Sequence, residues 1–372
     1  MKILIATAYF YPIVNPRSFR ATELAVQFVK MGHDVTVINT TLCQDFDYVK
    51  WGRQNGVKII NLSLAYERKN SRKKRVNKYC NIAKRILFYT TSNTIYKNYI
   101  KLRRILYNVD LESSYDVLLC VSLPFYIPWA FSFFFQNSNL SIKNKLVDCG
   151  DPFSMNQIYK LAFYFRFIEK RVLRFFDYVI VPVENAVASY ELFKKRSEIQ
   201  VIPQGFNLNT VRLEEYSKNV VPTFAYAGLF YSKSRNPKYF FEYLLNLKCN
   251  YKFIIYTNIG VSDSFGCIAP YVEKLGERLL VFDIIPREEL VKELSKVDFL
   301  INIGNMTTNQ IPSKLIDYAL TKRPILEISP LLRDFHNFEN FIAGDYTSQL
   351  KIDVSNYDIR TIAANFLKLV AQ

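Results

Sequence analysis

Residues 1–40 read MKILIATAYF YPIVNPRSFR ATELAVQFVK MGHDVTVINT, and the order of elements in this stretch decides the fold. Lys2–Ala8 is a nearly continuous apolar run, the pattern of a strand covered on both faces. A loop with Pro12, Asn15 and Pro16 follows, and Ala21–Met31 then carries apolar residues at helical spacing. Gly32 stands where a helix ends in a left-handed residue, and Asp34–Thr40 is a second apolar run. Strand, helix and strand in so short a span predict a parallel βαβ unit, whose ligands bind beyond the carboxyl ends of its strands.

The same alternation continues. Val57–Leu64, Asp116–Ser122, Lys145–Gly150 and Tyr178–Val183 read as further strands of a first domain. Glu198–Pro203, Thr223–Leu229, Lys252–Asn258, Leu279–Ile285, Asp298–Ile303 and Pro324–Ile328 read as strands of a second. Helical patterns lie at Ile158–Phe175, Pro237–Leu247, Arg287–Lys296, Ser313–Leu320 and Ile359–Val370. With a break near Lys194–Thr210, the chain is expected to form two α/β domains, 1–197 and 198–372, each a doubly wound parallel sheet of Rossmann-like type.

Composition narrows the class. Half of the 372 residues are apolar, enough for two packed cores. The six cysteines lack any Cys-x-x-Cys pair and only His33 and His336 accompany them, which argues against a zinc cluster and for the reduced thiols of a cytoplasmic protein. Met1–Phe10 has neither a basic leader nor a small-residue cleavage site. Val117–Phe135 is uncharged and long enough to suggest a membrane span, but Pro124 and Pro128 interrupt it, so strand, loop and aromatic helix are expected. The net charge is +16, and no acid lies between Glu67 and Asp110, where Arg68 to Arg104 hold many cations interleaved with tyrosines. Such a segment suits an anionic membrane, nucleic acid or anionic substrate, or is a solvated basic face. No nucleic-acid module is found.

The Pro-containing loop, the amphipathic helix and GHDVTVI at 32–38 resemble the N-terminal domain of the family 4 retaining glycosyltransferases, which have the GT-B fold of two facing Rossmann-like domains. Pro16-Arg17-Ser18 stands where the family often has a Gly-Gly pair. Arg17 and Arg20 lie near the start of a helix, whose free N–H groups favour an anion. Asp148-Cys-Gly-Asp-Pro-Phe-Ser154 looks like the loop before a long basic helix in bacterial polysaccharide glycosyltransferases; Asp151 faces the cleft, caps that helix or closes a turn. Val201-Ile-Pro-Gln-Gly-Phe-Asn207 resembles the family's interdomain linker, and the last helix, about 358–372, resembles the segment that crosses back to the first domain.

The second half resembles the family more specifically. Phe224–Phe230 runs into Tyr231-Ser-Lys-Ser-Arg-Asn-Pro237, where Arg235 matches the cation that holds the donor diphosphate. Thr308-Asn-Gln-Ile-Pro-Ser-Lys314, then Asp317, then Lys322-Arg-Pro-Ile-Leu326, resembles the donor signature of two acids eight residues apart before a Gly-x-Pro strand. Asp317 takes the place of the ribose-binding acid, and Asn309 that of the usual glutamate. Ile311 and Pro312 open the helix, with the N–H groups of Ser313 and Lys314 aimed at phosphate. Ile285 and Pro286 are placed to pack on the nucleotide base.

The resemblance implies a retaining hexosyl- or N-acetylhexosaminyltransferase of surface-polysaccharide synthesis. Its donor would be a nucleotide-diphosphate sugar, most simply UDP-linked, held by Arg235, Ile285, Pro286, Asn309, Ile311, Pro312, Ser313, Lys314 and Asp317. Arg17, Arg20, Glu23 and Asp151 would hold a lipid-linked or saccharide acceptor, and Arg235, Lys314 and Asp151 would carry the chemistry. No metal or other cofactor is implied. The expected location is the cytoplasmic face of the membrane, held peripherally through residues 68–104. Asp45-Phe-Asp47 has the spacing of the metal motif of single-domain glycosyltransferases, a motif the two-domain pattern does not need. Two other readings remain open: a sugar-nucleotide epimerase of similar fold, which needs acid–base residues in a chain almost without histidine, and a non-catalytic basic protein binding lipid or nucleic acid.

Overall fold

The computed structural model describes residues 1–66, 93–156, 161–208, 213, 215–304 and 314–371. The chain forms two compact units, Met1–Asn207 with Asp358–Gln372, and Leu208–Tyr357.

The first unit is built on β1 (Lys2–Thr7), β2 (Asp34–Leu42), β3 (Val57–Tyr66), β4 (Ser114–Val121), β5 (Ser141–Asp148), β6 (Tyr178–Val181) and β7 (Ile199–Val201), ordered β3-β2-β1-β4-β5-β6-β7. Every pairing is parallel. Strand periodicity sends alternate side chains to opposite faces. Leu4, Ala6, Leu118 and Cys120 therefore enter one core, and Ile3, Ile5, Val117 and Leu119 the other.

Among the described residues, the helices that lie between these strands are α1 (Pro16–Lys30), α2 (Tyr48–Asn55), α3 (Asn93–Leu106), α4 (Tyr126–Gln136) and α5 (Phe165–Leu173). The Asn15 side chain accepts from Ser18 N–H and Pro16 takes the first turn, so α1 starts earlier than its apolar pattern. Its end is a Schellman arrangement: Gly32 has φ +83°, and the N–H groups of Gly32 and His33 bond to Val29 and Phe28 carbonyls. The uncharged 117–135 stretch is β4 followed by α4, and no helix among the described residues is long and apolar enough to cross a membrane.

Two expectations are corrected. Glu198–Pro203 was read as opening the second domain, yet β7 pairs with β6 through Val179–Ile199 and Val181–Val201, which carries the first unit to Asn207 instead of 197. The long helix Ile158–Phe175 is shorter: Leu161 and Ala162 are buried without being helical, and α5 begins at Phe165; residues 157–160 lie outside the described residues.

The second unit comprises β8 (Thr223–Ala227), α6 (Lys238–Asn246), β9 (Lys252–Tyr256), α7 (Ser262–Leu275), β10 (Leu279–Phe282), α8 (Arg287–Leu294), β11 (Phe299–Ile303), α9 (Lys314–Leu320), β12 (Ile325–Ile328) and α10 (His336–Ala343). Its parallel sheet is ordered β10-β9-β8-β11-β12. The core is rich in phenylalanine, with the Phe224 ring stacked on Phe253 at 4.7 Å and on Phe299 at 5.1 Å.

The chain then returns to the first unit as α11 (Ile359–Lys368), where Ile359, Ile362, Ala363 and Phe366 join the core beside Leu24, Ala25 and Phe28 of α1. A Cβ on Gly205 would lie 2.7 Å from Ile359 Cδ1, so the bare glycine makes room for this helix. Strand order reverses between β1 and β4 in one sheet and between β8 and β11 in the other, the two places where such sheets open a ligand crevice.

Candidate functional site

In the second unit, the loop after β8 is folded around one carbonyl. The Tyr226 hydroxyl donates to Leu229 O at 2.9 Å and Arg235 Nη1 donates to the same oxygen at 3.2 Å. Gly228 has φ +135°, open to glycine, and lets the chain turn away from the sheet there. A tight turn from Tyr231 to Arg235 brings the arginine back, leaving it 9% exposed.

Lys314 enters from the neighbouring strand's side, as the first described residue of α9. Its Nζ is 3.5 Å from Ile303 O at the end of β11 and 4.3 Å from the centroid of the Tyr226 ring. Burial, and then the Arg235 guanidinium, push the Lys314 amine well below its ordinary value, while Glu327 on β12 opposes that. Arg235 is thus held close enough to disfavour the charged form of Lys314 at the switch point, an arrangement that a bound anion relieves.

Asp317 follows one turn along α9. Its Oδ1 accepts from Arg287 Nε at 2.7 Å; burial pushes the carboxyl up and Arg287 opposes the shift. Arg287 is the first residue of α8, directly after Ile285 and Pro286, so the ion pair ties the loop after β10 to α9. Ile285 is half-buried and Pro286 exposed. Arg235, Lys314, Asp317, Ile285 and Pro286 therefore gather at one end of the second sheet. Asn309, Ile311, Pro312 and Ser313 lie outside the described residues. Sequence reading missed Tyr226 and Arg287. A tyrosine inside an otherwise apolar strand was the signal for the first; the second gave none.

In the first unit, Arg17 and Arg20 of α1 meet Asp148 at the end of β5. Arg20 Nη2 lies 3.0 Å from Asp148 Oδ1, Arg20 Nε 3.2 Å from Oδ2, and Arg17 Nη1 3.2 Å from Oδ2. Arg20 also donates to the carbonyls of Ile202 and Pro203 and is 2% exposed, so its guanidinium ties α1 to β5 and to the chain after β7. Arg17 lies over Gly150, where a Cβ would come within 2.3 Å of its Cζ. Asp151 is exposed in the loop after β5, and its carbonyl accepts from the buried Tyr190 hydroxyl at 3.1 Å. Glu169 of α5 takes the Ser154 N–H of the same loop at 2.9 Å. Glu23 is half-buried on α1. Asp47 accepts from Lys50 N–H and caps α2, while Asp45 has φ +70° in the turn before it.

No protein-family model matches the chain, and no curated protein matches its sequence. Solved structures do match over its whole length. A glycosyltransferase from Rickettsia africae is 13% identical with a TM-score of 0.62, covering 99% of this chain and 97% of its own. Anabaena HepE in complex with UDP is 11% identical with a TM-score of 0.62, covering 100% of both chains. The lipopolysaccharide outer core galactosyltransferase WaaB, in its apo form, is 11% identical with a TM-score of 0.60, covering 100% of this chain and 99% of its own. The chain has the GT-B fold, two parallel-sheet α/β domains of seven and five strands.

Proposed function

We propose that this chain is a glycosyltransferase that moves a sugar from a nucleotide-diphosphate sugar to a lipid-linked or saccharide acceptor in the synthesis of a cell-surface polysaccharide. The observation that carries this reading is the convergence of Lys314 and Arg235 at the switch point of the second sheet, with the Lys314 amine disfavoured as a cation until an anion arrives. The whole-length likeness to HepE in complex with UDP supports a UDP-linked donor.

In this reading Lys314 and Arg235 bind the diphosphate, and Asp317, oriented by Arg287, accepts the ribose hydroxyls. The transfer is retaining. The bond from the anomeric carbon to the diphosphate breaks and the acceptor oxygen bonds to the same face. The acceptor proton passes to the departing phosphate oxygen, so charge stabilisation replaces a strong protein base. Arg17 and Asp151 address the acceptor, while Arg20 holds the frame beneath them. The enzyme works on the inner membrane face as a peripheral protein, with the cations of residues 68–104 adding attraction to anionic lipid.

Thermal shift with UDP, UDP-sugars and unrelated nucleotides tests the donor site, since a ligand of the folded state raises its apparent stability. UDP should raise the melting temperature, and Lys314→Ala should abolish the shift. Product analysis with UDP-sugars and a lipid-linked acceptor then tests transfer; release of an epimerised sugar nucleotide would overturn the reading.

A further inference from the structure

The geometry points to α5 as a docking surface for an anionic phospholipid bilayer, an inference that rests on the reading of a lipid-linked acceptor above. Phe163 and Phe167 are 76% and 69% exposed. They stand four residues apart, Phe163 in the turn that leads into α5 and Phe167 in its first turn. Tyr164, Arg166, Lys170, Arg171 and Arg174 are exposed around them, while Phe165, Glu169, Val172 and Leu173 are buried on the opposite side. None of the four cations takes part in an ion pair among the described residues. The helix's single acid, Glu169, faces inward to Ser154 N–H.

The two properties of this face select one partner. Two phenyl rings so exposed at the start of one helix are costly in water and mark an interaction site. Rings ringed by long cations match a headgroup layer over acyl chains: the rings enter the boundary and the cations meet phosphate. An acidic protein surface answers the charge but not the rings.

The position of α5 gives the contact a purpose. Its buried face holds Ser154, and Tyr190 holds Asp151, in the loop assigned above to the acceptor. A bilayer against α5 therefore lies next to the part of the first unit that receives a lipid-linked substrate.

Sedimentation of the full chain with vesicles tests this, using phosphatidylcholine alone and an equal mixture with phosphatidylglycerol. The chain should bind the mixed vesicles and release with salt. Phe163→Ser/Phe167→Ser should weaken partitioning at least tenfold, and each of Arg166→Ser, Lys170→Ser, Arg171→Ser and Arg174→Ser by about fivefold at low salt. The UDP-induced thermal shift should be unchanged in every variant, which separates this inference from the donor-site reading. Unchanged vesicle binding in the Phe variant, with loss only when the cations of residues 68–104 are neutralised, would overturn the assignment to α5 and leave membrane attachment itself standing. A change of oligomeric state in the Phe variant, without any change in lipid binding, would assign the face to a second copy instead.

Discussion

The Lys314 amine nitrogen lies over the ring of Tyr226, 4.3 Å from its centroid. The ring is itself fixed, because its hydroxyl is bonded to Leu229 O. Lys314 thus packs against a fixed ring face, one turn ahead of Asp317. Arg235 bonds the same Leu229 carbonyl, which puts both cations on one small scaffold.

Removing either cation should therefore damage turnover more than folding. Lys314→Ala and Arg235→Ala are each expected to lower kcat/KM by a factor on the order of 10²–10³, as for loss of one transition-state donor. Steady-state kinetics beside circular dichroism will show it; near-wild-type rates in both variants would move the donor site elsewhere.

The depressed Lys314 amine has a pH consequence. Its folded value lies below the ordinary 10.5, so its contribution to stability is fullest above 10.5 and falls as pH drops towards the folded value. A diphosphate favours the charged amine and raises that value again. UDP binding in this window should take up protons. Calorimetry in buffers of different ionisation enthalpy should give a slope of that sign, absent in Lys314→Met. A wild-type slope of zero across the window would contradict it.

Asp148 should matter for stability. It is 1% exposed and is the carboxylate partner of the buried Arg20. Asp148→Ala leaves an arginine buried without its counter-charge, a loss of about 3–5 kcal/mol. Denaturant midpoints will measure it, and a change below about 1 kcal/mol would mean that water replaces the carboxylate freely.

Activity is expected to survive chelation. In the proposed reading, Lys314, Arg235 and helix N–H groups supply the positive field that a divalent ion would otherwise supply. Loss of turnover with EDTA, restored by magnesium, would redirect attention to Asp45 and Asp47.

The anomeric configuration of the donor should be retained. Proton NMR of the first product formed will read it directly. An inverted anomer would demand a protein base, and Asp151→Asn would then become the decisive variant.

Much of the fold was legible in local pattern. The apolar runs found the twelve strands of the described residues because parallel strands covered on both faces leave little room for polar residues. No range was read for helices α2, α3, α7 and α10. Tyr48–Asn55 has few apolar residues, and Gly266 and Pro270 break the pattern within Ser262–Leu275. Arg235, Lys314 and Asp317 were singled out by their resemblance to the family's donor motifs, and they gather at one end of the second sheet. Their coupling through Tyr226 and Arg287 was not legible, since it depends on packing between distant segments. Arg20 shows the same limit. An arginine at a helix start reads as an anion binder, but its partners are Asp148, Ile202 and Pro203, far away in sequence.

Because α11 belongs to the first unit, the second unit is an insertion in the chain. The two crossing points are neighbours: Ile359 N–H bonds to Phe206 O. During synthesis the first sheet must wait for α11 while all of Leu208–Tyr357 is made. At roughly 5–20 residues per second, the apolar patch formed by Leu24, Ala25 and Phe28 stays uncovered for on the order of ten seconds. The inserted unit can finish folding before its host does. The nascent chain thus has a window of chaperone dependence, and truncation before Asp358 should leave a first unit that aggregates even though all seven of its strands are present.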